Sequence, residues 1–183
     1  MKKQHFIFAL LLVALIAVAT NANAFSMKGE KVFGVQALGY YELNSDWESL
    51  YFDFAYNGST QTAGFGFGSF FELGLSDRMS MEIDLAYSRL TYSNRQINII
   101  TENYFTADVV GHYYFLDNET YNPYFIFGLG AIMSANSVAP LGDVGVGMHF
   151  RVSKEFSVKT ELLFKSAVLL NRGEGRLGVC YHF

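Results

Sequence analysis

The feature that most constrains this chain is the two-residue rhythm that runs to its last residue, in Arg176-Leu177-Gly178-Val179-Cys180-Tyr181-His182-Phe183. Successive side chains of a strand point to opposite faces. Leu177, Val179, Tyr181 and Phe183 therefore share one face, and Arg176, Gly178, Cys180 and His182 share the other. Chain ends usually fray, whereas a closed barrel must pair its last strand with its first. A strand that alternates up to the final residue points to such closure.

The same rhythm recurs along the chain, interrupted by turn-forming residues. It predicts eight strands, at Lys31–Tyr41, Thr62–Leu75, Met79–Tyr92, Thr101–Leu116, Pro123–Ser134, Gly142–Val152, Phe156–Val168 and Glu174–Phe183. Short polar connections (Ser76-Asp77-Arg78, Asp117 to Asn122, Ser153-Lys154-Glu155) alternate with a second set, Glu42–Gln61, Ser93–Ile100, Ala135–Leu141 and Leu169–Gly173. An even strand count brings both termini to one side, so Ser49–Tyr56 is read as part of the first loop, a hairpin arm or short helix, and not as a ninth strand.

At the other end, Lys2 and Lys3 precede an apolar run from Phe6 to Val18 and a small-residue site, Ala22-Asn23-Ala24. That order is the pattern of a secretory signal peptide, and the run falls short of the roughly 20 residues a spanning helix needs. The expected organisation is a signal peptide at 1–24 and a single barrel domain at 25–183. The net charge of −4 becomes −6 without Lys2 and Lys3, which argues against a nucleic-acid partner. The one cysteine, Cys180, has no partner for an internal disulfide.

The two strand faces separate a membrane barrel from a soluble one. One face collects large apolar residues, among them Phe65, Phe67, Phe71, Ile83, Leu85, Val109, Phe125, Phe127, Leu129, Val144, Val146, Leu162 and Phe164. The other carries Glu72, Glu82, Asp84, Asp108, His112, Asp143, His149, Arg151, Lys159, Glu161, Lys165, Arg176 and His182, with glycines such as Gly64, Gly66, Gly68, Gly128, Gly130, Gly145 and Gly147. The interior of an eight-stranded barrel is only just wide enough to be filled by side chains, so the bulky face does not fit inside it. Turned outward, that face meets lipid, and the glycines make room for charged side chains within. Tyr41, Tyr87, Tyr113, Phe115, Phe156, Tyr181 and Phe183 then suit the aromatic girdles at the two interfaces.

Three segments carry a family resemblance: Asn122-Pro123-Tyr124-Phe125-Ile126-Phe127-Gly128-Leu129-Gly130-Ala131, Gly145-Val146-Gly147-Met148-His149-Phe150, and the terminal Leu177 to Phe183. The chain resembles the small eight-stranded outer-membrane β-barrel family typified by the OmpA and OmpX membrane domains. The fold this implies is an all-β, eight-stranded antiparallel up-and-down transmembrane barrel in the bacterial outer membrane. Leu177, Val179, Tyr181 and Phe183 resemble the C-terminal assembly signal of such barrels. The partners implied are outer-membrane lipid and lipopolysaccharide, the outer-membrane assembly machinery, and a host or surface ligand reached through the loops. The first loop, with Trp47, Tyr51, Phe52, Phe54 and Tyr56, is the candidate partner surface; the same aromatics suit a cap packed on the barrel rim.

Fold does not dictate function. The favoured expectation is a non-enzymatic, structural or adhesin-like protein whose lumen is plugged by the thirteen inward charged and histidine residues named above. The alternatives are a small-solute pore and a lipid A-modifying acyl hydrolase. A hydrolase of that kind uses a serine activated by a histidine, and the His-x-Ser found in the known family is absent here, where His149 is followed by Phe150-Arg151. His112, His149 and His182, with Glu72 or Glu82 nearby, are residue types that could ligate a transition metal. Strands that alternate around a barrel hold three imidazoles apart, so hydrogen-bonded lumen histidines are preferred, and neither metal nor cofactor is expected.

Overall fold

The computed structural model describes residues 28–42, 61–94, 97–116, 120–135, 137–167 and 170–183. Eight antiparallel strands run in chain order: β1 Lys31–Glu42, β2 Gln61–Ser76, β3 Met79–Asn94, β4 Ile97–Tyr114, β5 Tyr121–Met133, β6 Val138–Arg151, β7 Phe156–Ala167 and β8 Leu170–His182. Each pairs with its neighbours in sequence, and β1 pairs with β8 from Val32↔His182 to Glu42↔Arg172, so the sheet closes on itself. The two ladder edges that an open sheet leaves unpaired are thereby removed.

Period-2 burial follows from the alternating sequence. Along β3, Ile83, Leu85 and Tyr87 are exposed while Asp84, Ala86 and Ser88 are buried. Phe65, Phe67, Phe125, Leu129 and Leu162 all point outward, Leu129 with 76% of its surface free. Inside, small apolar clusters (Val32, Phe70 and Cys180; Leu38, Tyr40, Ala86 and Leu90) lie among the polar tiers. The inward glycines are close-approach positions. A Cβ at Gly147 would stand 2.5 Å from Cε2 of Tyr124, and one at Gly128 would stand 2.9 Å from the Val109 carbonyl.

The first described residues and the C-terminus meet at the rim that carries the short turns. Gly29, at φ 79°, adopts the left-handed conformation that favours glycine, and its N–H donates to the Gly74 carbonyl at 2.9 Å. The N–H of His182 donates to the Glu155 carbonyl at 2.8 Å, and that of Phe183 to the Lys31 carbonyl at 3.1 Å.

The structure corrects three expected connections. Ser93–Ile100, Ala135–Leu141 and Leu169–Gly173 are largely strand, since β3 runs to Asn94, β4 starts at Ile97, β6 at Val138 and β8 at Leu170. The ladder outlasts the apolar alternation on some strands: toward the ends distant from the short turns, polar residues or glycine take positions such as Thr101 and Asn103 on β4 and Gly173 on β8. Backbone pairing continues there after the hydropathy signal has faded. Glu42 closes β1 and Gln61 opens β2, while the expected signal peptide at 1–24 and residues 43–60 of the first loop, with its Ser49–Tyr56 segment, lie outside the described residues.

Candidate functional site: the charged barrel interior

Of the thirteen residues expected to face inward, twelve are buried and Arg151 is half-buried. They form three tiers along the barrel axis. In the tier nearest the C-terminus, Glu30 accepts from Arg151 and lies 2.8 Å from Nδ1 of His182. Nε2 of His182 is 2.7 Å from the Ser157 hydroxyl, which is 2.6 Å from Nε2 of His149. One hydroxyl proton cannot serve two imidazoles, so Ser157 donates to one ring and accepts from the other. Burial opposes ionisation of Glu30, but the His182 hydrogen bond and the Arg151 charge outweigh it and hold the carboxyl below its ordinary 4.5.

The middle tier centres on Glu72, which accepts from Ser80 and, at 2.7 Å, from the Tyr114 hydroxyl, with Nδ1 of His112 3.1 Å away. Lys159 donates to Glu82 and stands 3.2 Å from Glu161 and 3.6 Å from the centre of the Phe70 ring. The Tyr124 hydroxyl donates to Glu161 at 2.8 Å. In the third tier, Lys165 meets Asp108 at 2.6 Å and Asp143 at 3.5 Å. Arg176 meets Glu174 at 2.5 Å and Asp84 at 2.8 Å, and Asp84 also accepts from Gln36 at 2.8 Å. Arg172 lies over the Tyr40 ring.

Many of these contacts cross the lumen instead of following one ladder. Lys165 on β7 reaches Asp108 on β4, Lys159 on β7 reaches Glu82 on β3, and Arg176 on β8 reaches Asp84 on β3. The three histidines do not converge. His149 and His182 share Ser157, whereas His112 sits against Tyr124 with ring centres 4.7 Å apart.

Sequence reasoning missed Glu30, Gln36, Tyr114, Tyr124, Arg172 and Glu174. The parity of β8 carries a signal for the last two, because Arg172 and Glu174 continue the inward series of Arg176. Starting that strand at Glu174 hid Arg172, and Glu174 went unassigned. Leu177, Val179, Tyr181 and Phe183 all face outward on the seam strand. The aromatics expected at the interfaces are exposed, apart from the half-buried Phe115. Trp47, Tyr51, Phe52, Phe54 and Tyr56 lie outside the described residues.

No protein-family model matches the chain, and no curated protein matches it. Solved structures do. OprG of Pseudomonas aeruginosa is similar with a TM-score of 0.57 at 10% identity, over 89% of this chain and 99% of that one. Neisserial surface protein A is similar with a TM-score of 0.56 at 14% identity, over 85% and 100%. The attachment invasion locus protein Ail of Yersinia pestis is similar with a TM-score of 0.53 at 13% identity, over 85% and 99%. An eight-stranded closed ladder, an apolar exterior and these likenesses together give one conclusion: the chain has the fold of the small outer-membrane β-barrels.

Proposed function

We propose that this chain is an integral protein of a bacterial outer membrane, exported by its signal peptide, non-enzymatic, with a closed interior and a working surface on its loops. The observation that carries the reading is the set of buried pairs that tie non-adjacent walls together, Lys165–Asp108, Lys159–Glu82 and Arg176–Asp84. Ion pairs spanning a narrow lumen leave no continuous aqueous path, and removing one partner of such a pair is strongly destabilising. Leu177, Val179, Tyr181 and Phe183 serve as the assembly signal read by the outer-membrane assembly machinery. The exposed apolar belt meets lipid and lipopolysaccharide.

A surface role is supported by likeness to Ail, one structure of which is in complex with the heparin analogue sucrose octasulfate and matches this chain with a TM-score of 0.52 at 16% identity. By that analogy the loops, with Trp47, Tyr51, Phe52, Phe54 and Tyr56 foremost, contact a host or surface ligand. The acyl-hydrolase alternative gains a serine–histidine–carboxylate order in Ser157, His182 and Glu30. It loses more: Ser157 is 1% exposed, and its hydroxyl is also engaged by His149.

Two measurements test the reading. In planar bilayers the purified protein should give no steady channels; reproducible single-channel steps would replace the closed lumen with a small-solute pore. Deleting 46–56 should leave heat-modifiable gel mobility unchanged while abolishing attachment to glycan-coated surfaces, and undiminished attachment would remove the loop from the proposal.

A further inference from the structure

The buried interior is unevenly charged. Among the described residues, the buried carboxylic acids Glu72, Glu82, Asp84, Asp108, Asp143, Glu161 and Glu174 outnumber the buried cations Lys159, Lys165, Arg172 and Arg176. Isolated buried charge is costly, so the surplus acid calls for a proton, water or another cation. The middle tier offers the best place for a cation, and we propose that Glu72, Glu82 and His112 bind a single first-row divalent metal ion of the zinc type. This inference stands apart from the membrane and surface roles proposed above.

Each of the three residues offers one ligand atom, and these atoms lie within 4.8 Å of one another. Zinc holds carboxylate and imidazole ligands at about 2.0–2.2 Å, which keeps them within roughly 4 Å of each other. Small side-chain adjustments therefore bring all three onto one ion. All three residues are fully buried, and among the described residues Oε2 of Glu72, Oε1 of Glu82 and Nε2 of His112 have no hydrogen-bond partner, with Arg176 at 3.9 Å from that Glu82 oxygen and Glu161 at 3.9 Å from that His112 nitrogen. An unsatisfied polar atom on each of the three residues departs from the usual rule that buried polar groups are paired.

The surroundings supply the orienting contacts that metal sites use. Ser80 and Tyr114 both donate to Glu72, which fixes its carboxylate and leaves Oε2 unpartnered. One imidazole with two carboxylates selects zinc, iron, cobalt or manganese over calcium, which prefers an all-oxygen shell, and over copper(I), which prefers sulfur. The site lies toward one end of the barrel, beneath the Ser157 tier. Ser80 and Glu82 follow the β2–β3 turn closely, and His112 lies close to the end of β4, on the side of the C-terminus.

Lys159 already places a cation on Glu82. It has two other contacts, Glu161 at 3.2 Å and the Phe70 ring at 3.6 Å, so its ammonium keeps a partner when a metal takes Glu82. Metal and lysine therefore compete. Lys159→Met should tighten metal binding at least tenfold, an effect that a purely structural ion pair does not predict.

The test is a cobalt(II) titration of the folded full barrel in detergent, followed by its visible absorption and by displacement with zinc. Folding is verified by heat-modifiable mobility. The expected result is one ion per barrel, at least tenfold tighter in Lys159→Met and at least tenfold weaker in Glu82→Gln and in His112→Ala. X-ray absorption of the zinc-loaded natural chain should show one imidazole with oxygen ligands, and this measurement holds even if a variant fails to fold. No saturable binding up to millimolar cobalt, binding confined to Lys159→Met, binding unaffected by Glu82→Gln, or a shell with two imidazoles (the signature of His149 and His182) would each overturn the proposal.

Discussion

A barrel this narrow is decided by single atoms. The space at Gly147 is taken by the Tyr124 ring, whose hydroxyl donates to Glu161, so Gly147→Ala must push aside a buried, hydrogen-bonded side chain. Overpacking of this kind typically costs about 1–3 kcal/mol, to be read as a lower urea midpoint for the vesicle-embedded protein. Gly39 is the matched control. Nothing lies within 4 Å of a Cβ built there, so Gly39→Ala should be neutral or slightly stabilising. Glu30 makes a prediction about pH. Its carboxyl is held below the ordinary 4.5 in the folded state, so its contribution is complete above that value and fades as pH falls through the folded pKa. The stability gap between the natural chain and Glu30→Gln should shrink as pH falls below about 4.5; a gap that persists undiminished down to about pH 2 would contradict the assigned contacts. Parity was enough to place Asp84, Asp108 and Lys165 inward. It could not say which charge meets which, because Lys165 and Asp108 lie on strands that do not pair. Tyr114 and Tyr124 escaped notice because tyrosine suits either face, and only their neighbours Tyr113 and Phe125 stood out as lipid-facing.

At the level of elements, the strands were legible wherever one face had to meet hydrocarbon. They were illegible beyond it, as the extension of β4 back to Ile97 and of β8 back to Leu170 shows. The closing strand carries a further prediction. Phe183 stacks on Tyr181 with ring centres 6.0 Å apart and lies 6.3 Å from Phe71, but its side chain is largely exposed and its backbone N–H bond to the Lys31 carbonyl survives truncation. Phe183→Ala should therefore refold in detergent nearly as well as the natural chain, yet yield far less heat-modifiable barrel in cell envelopes. Equal losses in both settings would make the residue structural and remove it from the assembly signal.

For the whole molecule, the outward belt separates a membrane protein from a soluble one in a single substitution. Leu129 shares a register row with Val109, midway between the rows of Phe125 with Tyr113 and of Met133 with Phe105. Arginine on the lipid face near the bilayer midplane costs about 2–4 kcal/mol, whereas surface changes in soluble proteins usually stay within about 0.5 kcal/mol. Leu129→Arg should show the larger loss when unfolded from lipid vesicles, and a negligible loss would place that surface in water. The β1–β8 ladder has a temporal consequence as well. Val32 stands opposite His182 across the seam, so the first strand waits for the last before either is complete. Such a contact offers nothing until nearly the whole chain has been gathered, and long closures of this kind slow folding. Until that moment the growing sheet has two open edges, each a row of unpaired backbone groups ready to pair with another chain.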